Sequence, residues 1–189
     1  MGVVRRPVAV VGALVLVVLA FAAARTEPQE ELGFAPFAVR VGLGEVGEGR
    51  GLQAAVDEAS LADVVRLRGW TGETTGVWLV VRTRMATTEN PSLAFATLHA
   101  GERSWAASNR PGLYAMQSAS LDPGLPIAGS FVFEVPAELL DEAAARTAIV
   151  RLADDGDTRL ITVVEVELDL TQLDHEAELE IAPRERTSW

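Results

Sequence analysis

Alternation of hydrophobic and polar residues runs along most of the chain after residue 76, and this period of two is typical of β-strands with one buried face. The segments 77–85 and 127–135 are the clearest cases, because both are rich in β-branched and aromatic residues. Further strands are predicted at 93–100, 103–107, 114–121, 148–152 and 159–170. Short strands separated by frequent turns predict an all-β chain folded as an antiparallel β-sandwich.

Two segments depart from this pattern. Residues 137–145 are good helix formers placed directly after Pro136, so we expect one short helix there. The segment 52–67 fits two interpretations, because its hydrophobic positions match a helical spacing and also match a bulged strand. Periodicity alone does not choose between strand and helix at 52–67.

An uninterrupted hydrophobic segment lies near the N-terminus. Residues 8–24 carry no charge and follow Arg5 and Arg6, which is the pattern of a signal peptide or membrane anchor. The positive-inside rule predicts that the chain after residue 25 lies outside the membrane. A helix of this length spans about 26 Å, near the short limit for a bilayer. Because small residues at 20–24 also fit a cleavage site, a single-pass anchor and a cleaved signal peptide both stay open.

These patterns divide the chain into five parts. Residues 1–7 are the cytoplasmic n-region, and 8–24 are the transmembrane anchor or signal peptide. Residues 25–45, rich in Gly, Pro and acidic residues, are predicted to be a flexible linker. The sandwich is expected at 46–170, followed by an acidic C-terminal tail at 171–189.

Composition changes the picture mainly through charge. The chain has 189 residues and a formal net charge of −11, and Arg provides every positive side chain. Arg5 and Arg6 are the only charged side chains before residue 25, so the exported part is more acidic than the whole. This balance argues against nucleic-acid binding and against a basic membrane-binding patch. With no Cys, the chain has no disulfide, no thiolate metal site and no lipid-bearing cysteine.

Four segments in order resemble a known family. A hydrophobic strand at 77–81 precedes a hairpin from Gly101 to the aromatic Trp105, a Pro-Gly turn at 121–124 and a Phe-Glu-Val-Pro strand end at 129–136. The order is similar to the bacterial telokin-like, immunoglobulin-like exported domains of unknown function, and the Arg-only composition suits an actinobacterium. The resemblance implies an immunoglobulin-like sandwich behind a signal or anchor and implies no catalytic residue. Its structural motif consists of Pro123, Gly124, Gly129, Phe131, Phe133, Glu134 and Pro136.

The motif residues also have a direct physical interpretation. Pro123 fixes one φ angle and Gly124 permits a positive φ at the next position, which predicts a type II turn. Glu134 points away from Phe133 and is expected to accept hydrogen bonds from the backbone or from Arg. We therefore expect these residues to fix a strand junction.

Candidate chemistry is sparse. His99 and His175 are the only histidines, no Gly-x-Ser-x-Gly elbow is present, and no acid is tied to His99 and nearby Ser104. The aspartates at 154–157 predict a solvated hairpin turn, and the carboxylates at 165–169 predict a wet strand face. The sequence therefore predicts no enzyme, no metal site and no cofactor.

Aromatic residues supply the candidate contacts. Trp78 lies inside an apolar strand and is expected in the core, whereas Trp105 and Tyr114 are weak candidates for an exposed ligand surface. We expect a non-catalytic extracytoplasmic binding or assembly domain with a membrane or envelope protein as partner. The alternative is a small-ligand or cell-wall glycan binding protein with Trp105 and Tyr114 in contact.

Overall fold

β-Strands form at most of the predicted segments and at several others in the computed structural model, which describes residues 34–189. The strands are β1 Phe37–Val41, β2 Gly47–Gly49, β3 Leu52–Leu67, β4 Trp70–Thr87, β5 Ser92–Leu93, β6 Phe95–Ala100, β7 Arg103–Ala106, β8 Ser120–Leu121, β9 Ile127–Val135, β10 Ala148–Ala153, β11 Thr162–Leu168, β12 His175–Glu180 and β13 Glu185–Arg186. Short 3-10 helices lie at Gly112–Tyr114, Ala137–Asp141, Ala143–Thr147 and Leu170–Gln172.

Two sheets form the layers of the fold. The first has the order β1-β11-β10-β6-β7, and the second has the order β12-β3-β4-β9-β13 with β2 also paired to β3. β5 and β8 form a small separate pair. Because the inner faces of both large sheets supply one shared hydrophobic core, the predicted β-sandwich is confirmed.

The sandwich is mixed rather than purely antiparallel. β1 pairs with β11 in parallel, with Phe37 opposite Thr162, and β12 pairs with β3 in parallel, with His175 opposite Leu61. The remaining pairings between strands are antiparallel. Parallel partners need a long connection, so neighbouring turn signals in the sequence do not reveal them.

These edge strands also correct the predicted boundaries. Residues 37–41 of the predicted flexible linker belong to the first sheet, and residues 175–180 of the predicted tail belong to the second. Both strands are largely exposed, and their alternation of hydrophobic residues is therefore weak. The sandwich consequently extends on both sides of the predicted range 46–170.

The segment 52–67 is a strand throughout. β3 pairs with β4, and the register shifts between Val56 and Glu58 and again between Ala62 and Val64. Each irregularity changes the face on which the following side chains lie. The spacing of the hydrophobic residues therefore matched that of a helix, although the segment is a strand with two irregularities.

Two other local predictions were wrong. The predicted helix at 137–145 is a pair of 3-10 helices separated by Glu142, whose backbone is extended at φ −92° and ψ 152°. Helix propensity does not maintain an α-helix over so few residues. The predicted strand at 114–121 is mostly a loop after Gly112–Tyr114, and only Ser120–Leu121 is extended.

Trp78 is fully buried, as predicted, but outside the inter-sheet core. It belongs to a second cluster, with Val80, Val132 and Ile181, on the outer face of the second sheet. Its indole Nε1 donates to the backbone carbonyl of Gly72 at 3.1 Å. The second sheet is therefore hydrophobic on both faces at its centre.

The predicted n-region at 1–7 and hydrophobic segment at 8–24 lie outside the described residues, as do residues 25–33 of the predicted linker. Within the part of the chain that is described, no helix is long and apolar enough to span a membrane.

Candidate functional site

The Pro-Gly motif forms the predicted turn. The backbone N–H of Leu125 donates to the carbonyl of Asp122 at 3.2 Å, and Gly124 has a φ of +70°. The N–H of Gly124 also donates to the carbonyl of Thr87 at 2.9 Å, which ties the turn to the end of β4. Pro123 and Gly124 therefore have the structural role that the sequence predicted.

The strand part of the motif fixes the core. Phe131 and Phe133 are fully buried between the sheets, and Pro136 follows the last residue of β9. A Cβ atom added to Gly129 would lie 2.9 Å from Met116 and 3.0 Å from Arg184. Gly129 is needed because two other segments approach the strand closely at this point.

Glu134 forms an ion pair with an Arg side chain and accepts a hydrogen bond, as the sequence predicted. Arg110 lies 2.9 Å from its Oε2 atom, and the Ser108 hydroxyl lies 3.4 Å from Oε1. The same guanidinium group lies 5.1 Å from the centre of the Trp78 ring and donates to the carbonyl of Glu73 at 3.0 Å. The sequence did not reveal Arg110 as the partner, because the two residues meet only where the loop after β7 packs against β9, with the N–H of Ser108 donating to the Val132 carbonyl.

An open groove lies beside Trp105, along the first half of β4 near Gly76. Residues 74–76, Trp105 and residues 134–138 line it, and its volume is about 470 Å³. We call it the Trp105 groove. It combines an indole with the carboxylates of Glu134 and Glu138, so it suits ligands that present both apolar and hydrogen-bonding groups.

Gly76 is a groove residue that the sequence analysis did not identify. A Cβ atom there would lie only 2.1 Å from the carbonyl oxygen of Val135, so β4 and β9 approach too closely for any larger residue. A Gly inside a strand is the available signal for such close approach.

The side of the groove that contains Trp105 is formed by β7, an edge strand of the first sheet. Ala107 donates its N–H to the carbonyl of Ala96, and the antiparallel pattern then directs the backbone groups of Trp105 towards β6. The backbone groups of Ser104 and Ala106 consequently point to the free edge. Both residues are exposed, so the edge is accessible to solvent.

Trp105 itself is half-buried and held in place. One side of the ring packs against the inter-sheet core, and the Arg103 guanidinium lies 5.4 Å from the ring centre. Arg103 also forms an ion pair with Glu142. These contacts restrict the indole before any ligand arrives, which lowers the entropy cost of binding.

Tyr114 does not belong to this groove. Its side chain is 44% exposed, and the guanidinium of Arg68 lies 5.3 Å from the ring centre. The Tyr114 carbonyl accepts a hydrogen bond from the N–H of Arg184 at 2.9 Å. The structure therefore does not bring the two predicted contact residues, Trp105 and Tyr114, to one pocket.

His99 and Ser104 are direct cross-strand neighbours in β6 and β7. His99 is half-buried, and its Nε2 atom has no hydrogen-bond partner among the described residues. Burial lowers the pKa of His99, and the positive charge of Arg151 lowers it further. His175 instead contacts Asp63 at 2.9 Å on the exposed edge formed by β12.

Two predictions about acidic residues have different outcomes. Asp157 forms the expected exposed turn with Arg159, whose hydrogen bonds lower the pKa of Asp157 to about 2. The predicted wet face of the last strand is wrong at Glu165, which is buried between Arg40 and Arg151. Among residues 34–189, no group of His, Asp and Glu side chains has the arrangement of a metal site.

Comparison with known proteins yields similarity of fold only. No protein-family profile matches the chain, and no curated protein matches it. An uncharacterised β-sandwich protein from Clostridium difficile 630 has 13% identity and a TM-score of 0.49, with 75% of this chain and 99% of that chain covered.

Two further structures are similar at the same low level. The YjhA protein from Bacillus subtilis has 11% identity and a TM-score of 0.44, over 66% of this chain and 97% of that chain. A lipoprotein candidate from Staphylococcus aureus has 8% identity and a TM-score of 0.42, over 71% of this chain and 94% of that chain. At these values the similarity carries no argument, and the β-sandwich rests on the sheet topology described above.

Proposed function

We propose that this protein is a non-catalytic extracytoplasmic binding domain that takes an extended polypeptide segment of an envelope or membrane protein along β7. The N-terminal segment 8–24 would supply the anchor or signal peptide, and the fold would belong to the telokin-like, immunoglobulin-like exported domains. One observation carries the proposal: the free edge of β7 runs beside the Trp105 groove.

Strand addition explains why these two features belong together. A partner segment paired with Ser104 and Ala106 would satisfy the outward backbone groups, and its alternate side chains would reach the groove. Natural edge strands are usually protected by Pro, Lys or inward charges. Arg103 is the one charged residue of β7, and its contact with Trp105 and Glu142 draws that charge away from the free edge.

Charge favours a neutral or basic partner segment. Glu138 is exposed on the groove wall, and the chain as a whole is strongly acidic. Complementary charge raises association rates and disfavours acidic partners. We therefore expect the partner segment to be extended, apolar at alternate positions and not acidic.

Site-specific cross-linking tests this proposal. A photoreactive amino acid at Ala106, in the full chain expressed in its native membrane, should form a discrete cross-linked protein product. Trp105→Ala should reduce that product about tenfold, whereas Tyr114→Ala should leave it unchanged, because Tyr114 is also exposed but lies outside the groove. Equal loss with both variants, or no product at Ala106, would argue against strand addition.

A glycan is the second candidate occupant. The indole of Trp105 beside the Glu138 carboxylate and the hydroxyls of Thr74 and Thr75 is a combination that suits sugars. Titration with soluble cell-wall fragments should then change the tryptophan fluorescence, and Trp105→Ala should abolish the change. A fluorescence response without a cross-linked protein at Ala106 favours the glycan over the polypeptide.

A further inference from the structure

A second cavity lies at the other end of β4, near Thr87, and it is separate from the Trp105 groove. Loops from both sheets meet there, namely the β2–β3 turn, the β4–β5 loop and the β10–β11 hairpin, together with the start of β1. We call it the end cavity, and its volume is about 300 Å³. Loops held by a rigid sandwich are a common place for binding sites.

Asp154 is the unusual charge in the end cavity. It is partly buried, yet it has no ion-pair partner among residues 34–189. Two other carboxylates that are at least partly buried have an Arg partner: Glu165 pairs with Arg151, and Asp57 pairs with Arg84 at 2.8 Å. Burial raises the pKa of Asp154, and the negative charge of Asp155 raises it further. A cation beside Asp154 would offset the free-energy cost of keeping this partly buried carboxylate charged.

Apolar side chains stand at the mouth of the same cavity. Phe37 is 64% exposed and Leu160 is 53% exposed, and both line the opening. Leu160 has a φ of +59°, a conformation that is costly for a bulky residue. The protein therefore retains a strained backbone that displays an aliphatic side chain to solvent beside an exposed aromatic ring.

Neutral polar groups complete the lining. The hydroxyl oxygen of Ser92 is buried without a hydrogen-bond partner in the described part of the chain, and the amide of Asn90 lies in the same loop. Arg50 and Glu89 also line the cavity with opposite charges, so Asp154 remains the charge to be balanced. An unsatisfied buried hydroxyl is rare in proteins and calls for a partner.

From this combination we propose that the end cavity binds a small organic ammonium ion, with the cationic nitrogen beside Asp154 and the carbon skeleton between Phe37 and Leu160. The nitrogen would have the carboxylate as its counter-ion, and the exposed amide of Asn90 offers a further oxygen acceptor. The aromatic ring adds an attraction for a cation over its face. This site is independent of strand addition at β7, since the two surfaces share no lining residue.

Benzylamine, which is cationic at pH 7, is a suitable probe, and benzyl alcohol is its neutral counterpart of the same shape. In 15N-labelled full-length protein in a non-ionic detergent, benzylamine should shift the backbone amide signals of Gly51, Asp154 and Ile161 with a saturable dependence. Benzyl alcohol should bind at least tenfold more weakly, because it cannot pair with Asp154.

Two neighbouring carboxylates provide the matched variants. Asp154→Asn should weaken benzylamine binding about tenfold, whereas Asp155→Asn should change it less than twofold, because Asp155 does not line the cavity. Asp154→Asn removes a charge that has no ion-pair partner within residues 34–189, so its amide spectrum should show a folded protein. Benzylamine should also raise the thermal unfolding temperature of the wild type and not that of Asp154→Asn.

Three results would overturn the proposal. Equal affinity for benzylamine and benzyl alcohol would show that only apolar contact operates. Equal loss with Asp154→Asn and Asp155→Asn would show a general effect of the acidic hairpin. Amide shifts centred on the acidic strand β12 would show non-specific attraction by the net charge of the chain.

Discussion

Arg151 should contribute far more to stability than Arg40, although both form ion pairs with Glu165. The Glu165 side chain is only 5% exposed, and the Arg151 side chain is 25% exposed, with two guanidinium nitrogens at 2.7 and 3.0 Å from Oε1. The Arg40 side chain is 80% exposed and contacts Oε2 at 3.3 Å. We therefore compare Arg151→Met with Arg40→Met, which keep similar apolar bulk and remove the charge.

The expected magnitudes follow from burial. Removing one partner of a buried ion pair typically costs about 3–5 kcal/mol of the free energy of unfolding, because a buried charge is left unpaired. Arg151 is partly exposed and Arg40 still reaches Glu165, so we expect about 2 kcal/mol for Arg151→Met. For Arg40→Met we expect less than about 0.5 kcal/mol, the range of exposed pairs.

Urea unfolding at pH 7 measures this difference. The four tryptophans all lie after residue 69, so their fluorescence reports on the sandwich even in the full chain, and the fully buried Trp78 should give a large emission shift. Urea carries no charge and leaves ion pairs unscreened. Equal destabilisation by the two variants, or a loss below about 0.5 kcal/mol for Arg151→Met, would refute the assignment of the pair as buried.

The same pair predicts a pH dependence. Burial alone would raise the pKa of Glu165, but hydrogen bonds and charge from Arg151 and Arg40 outweigh it, and the pKa lies below its ordinary value of 4.5. The stabilisation is therefore complete above pH 4.5 and is lost as pH falls through the lower folded-state pKa. Glu165→Gln should lack this contribution, so its unfolding free energy should fall less steeply in acid. Equal acid profiles for wild type and Glu165→Gln would contradict the prediction.

Three further substitutions test individual contacts by urea unfolding. Gly76→Ala should cost about 2–3 kcal/mol, because the added Cβ meets the Val135 carbonyl oxygen at 2.1 Å; a neutral result would mean that β4 and β9 separate easily. Gly124→Ala should cost only about 1 kcal/mol, since its φ of +70° is strained for Ala but nothing lies within 4 Å. Trp78→Phe should cost about 2 kcal/mol through lost volume and an unpaired Gly72 carbonyl, and a change below about 0.5 kcal/mol would argue against the Nε1 hydrogen bond.

Local sequence signals predicted the centre of the fold well. β4 and β9 follow the alternation of their hydrophobic residues, and the two phenylalanines of β9 are buried as expected. The Pro123-Gly124 turn forms because one residue fixes φ and the next permits a positive φ. In each case the information lies within a few consecutive residues.

Tertiary structure decided the edges of the sheets. β1 and β12 join as parallel partners of strands far away in sequence, and both are too exposed to show strong alternation. Two register irregularities in β3 rearranged a hydrophobic pattern that also fitted a helix. Pairing of distant segments, rather than local preference, determined these elements.

The candidate sites depended on tertiary structure in the same way. Trp105 was recognisable as a candidate from its hairpin, but its groove exists only because β7 lies beside the end of β9. The burial of Glu165 between two Arg side chains depends on which residues come within reach, as does the absence of an ion pair at Asp154 among residues 34–189. By itself, the sequence determined a β-sandwich, its acidic charge and its central strands, because those follow from composition and short-range periodicity. Only the tertiary structure decided which charges are buried and which surfaces can bind, because these depend on contacts between distant residues.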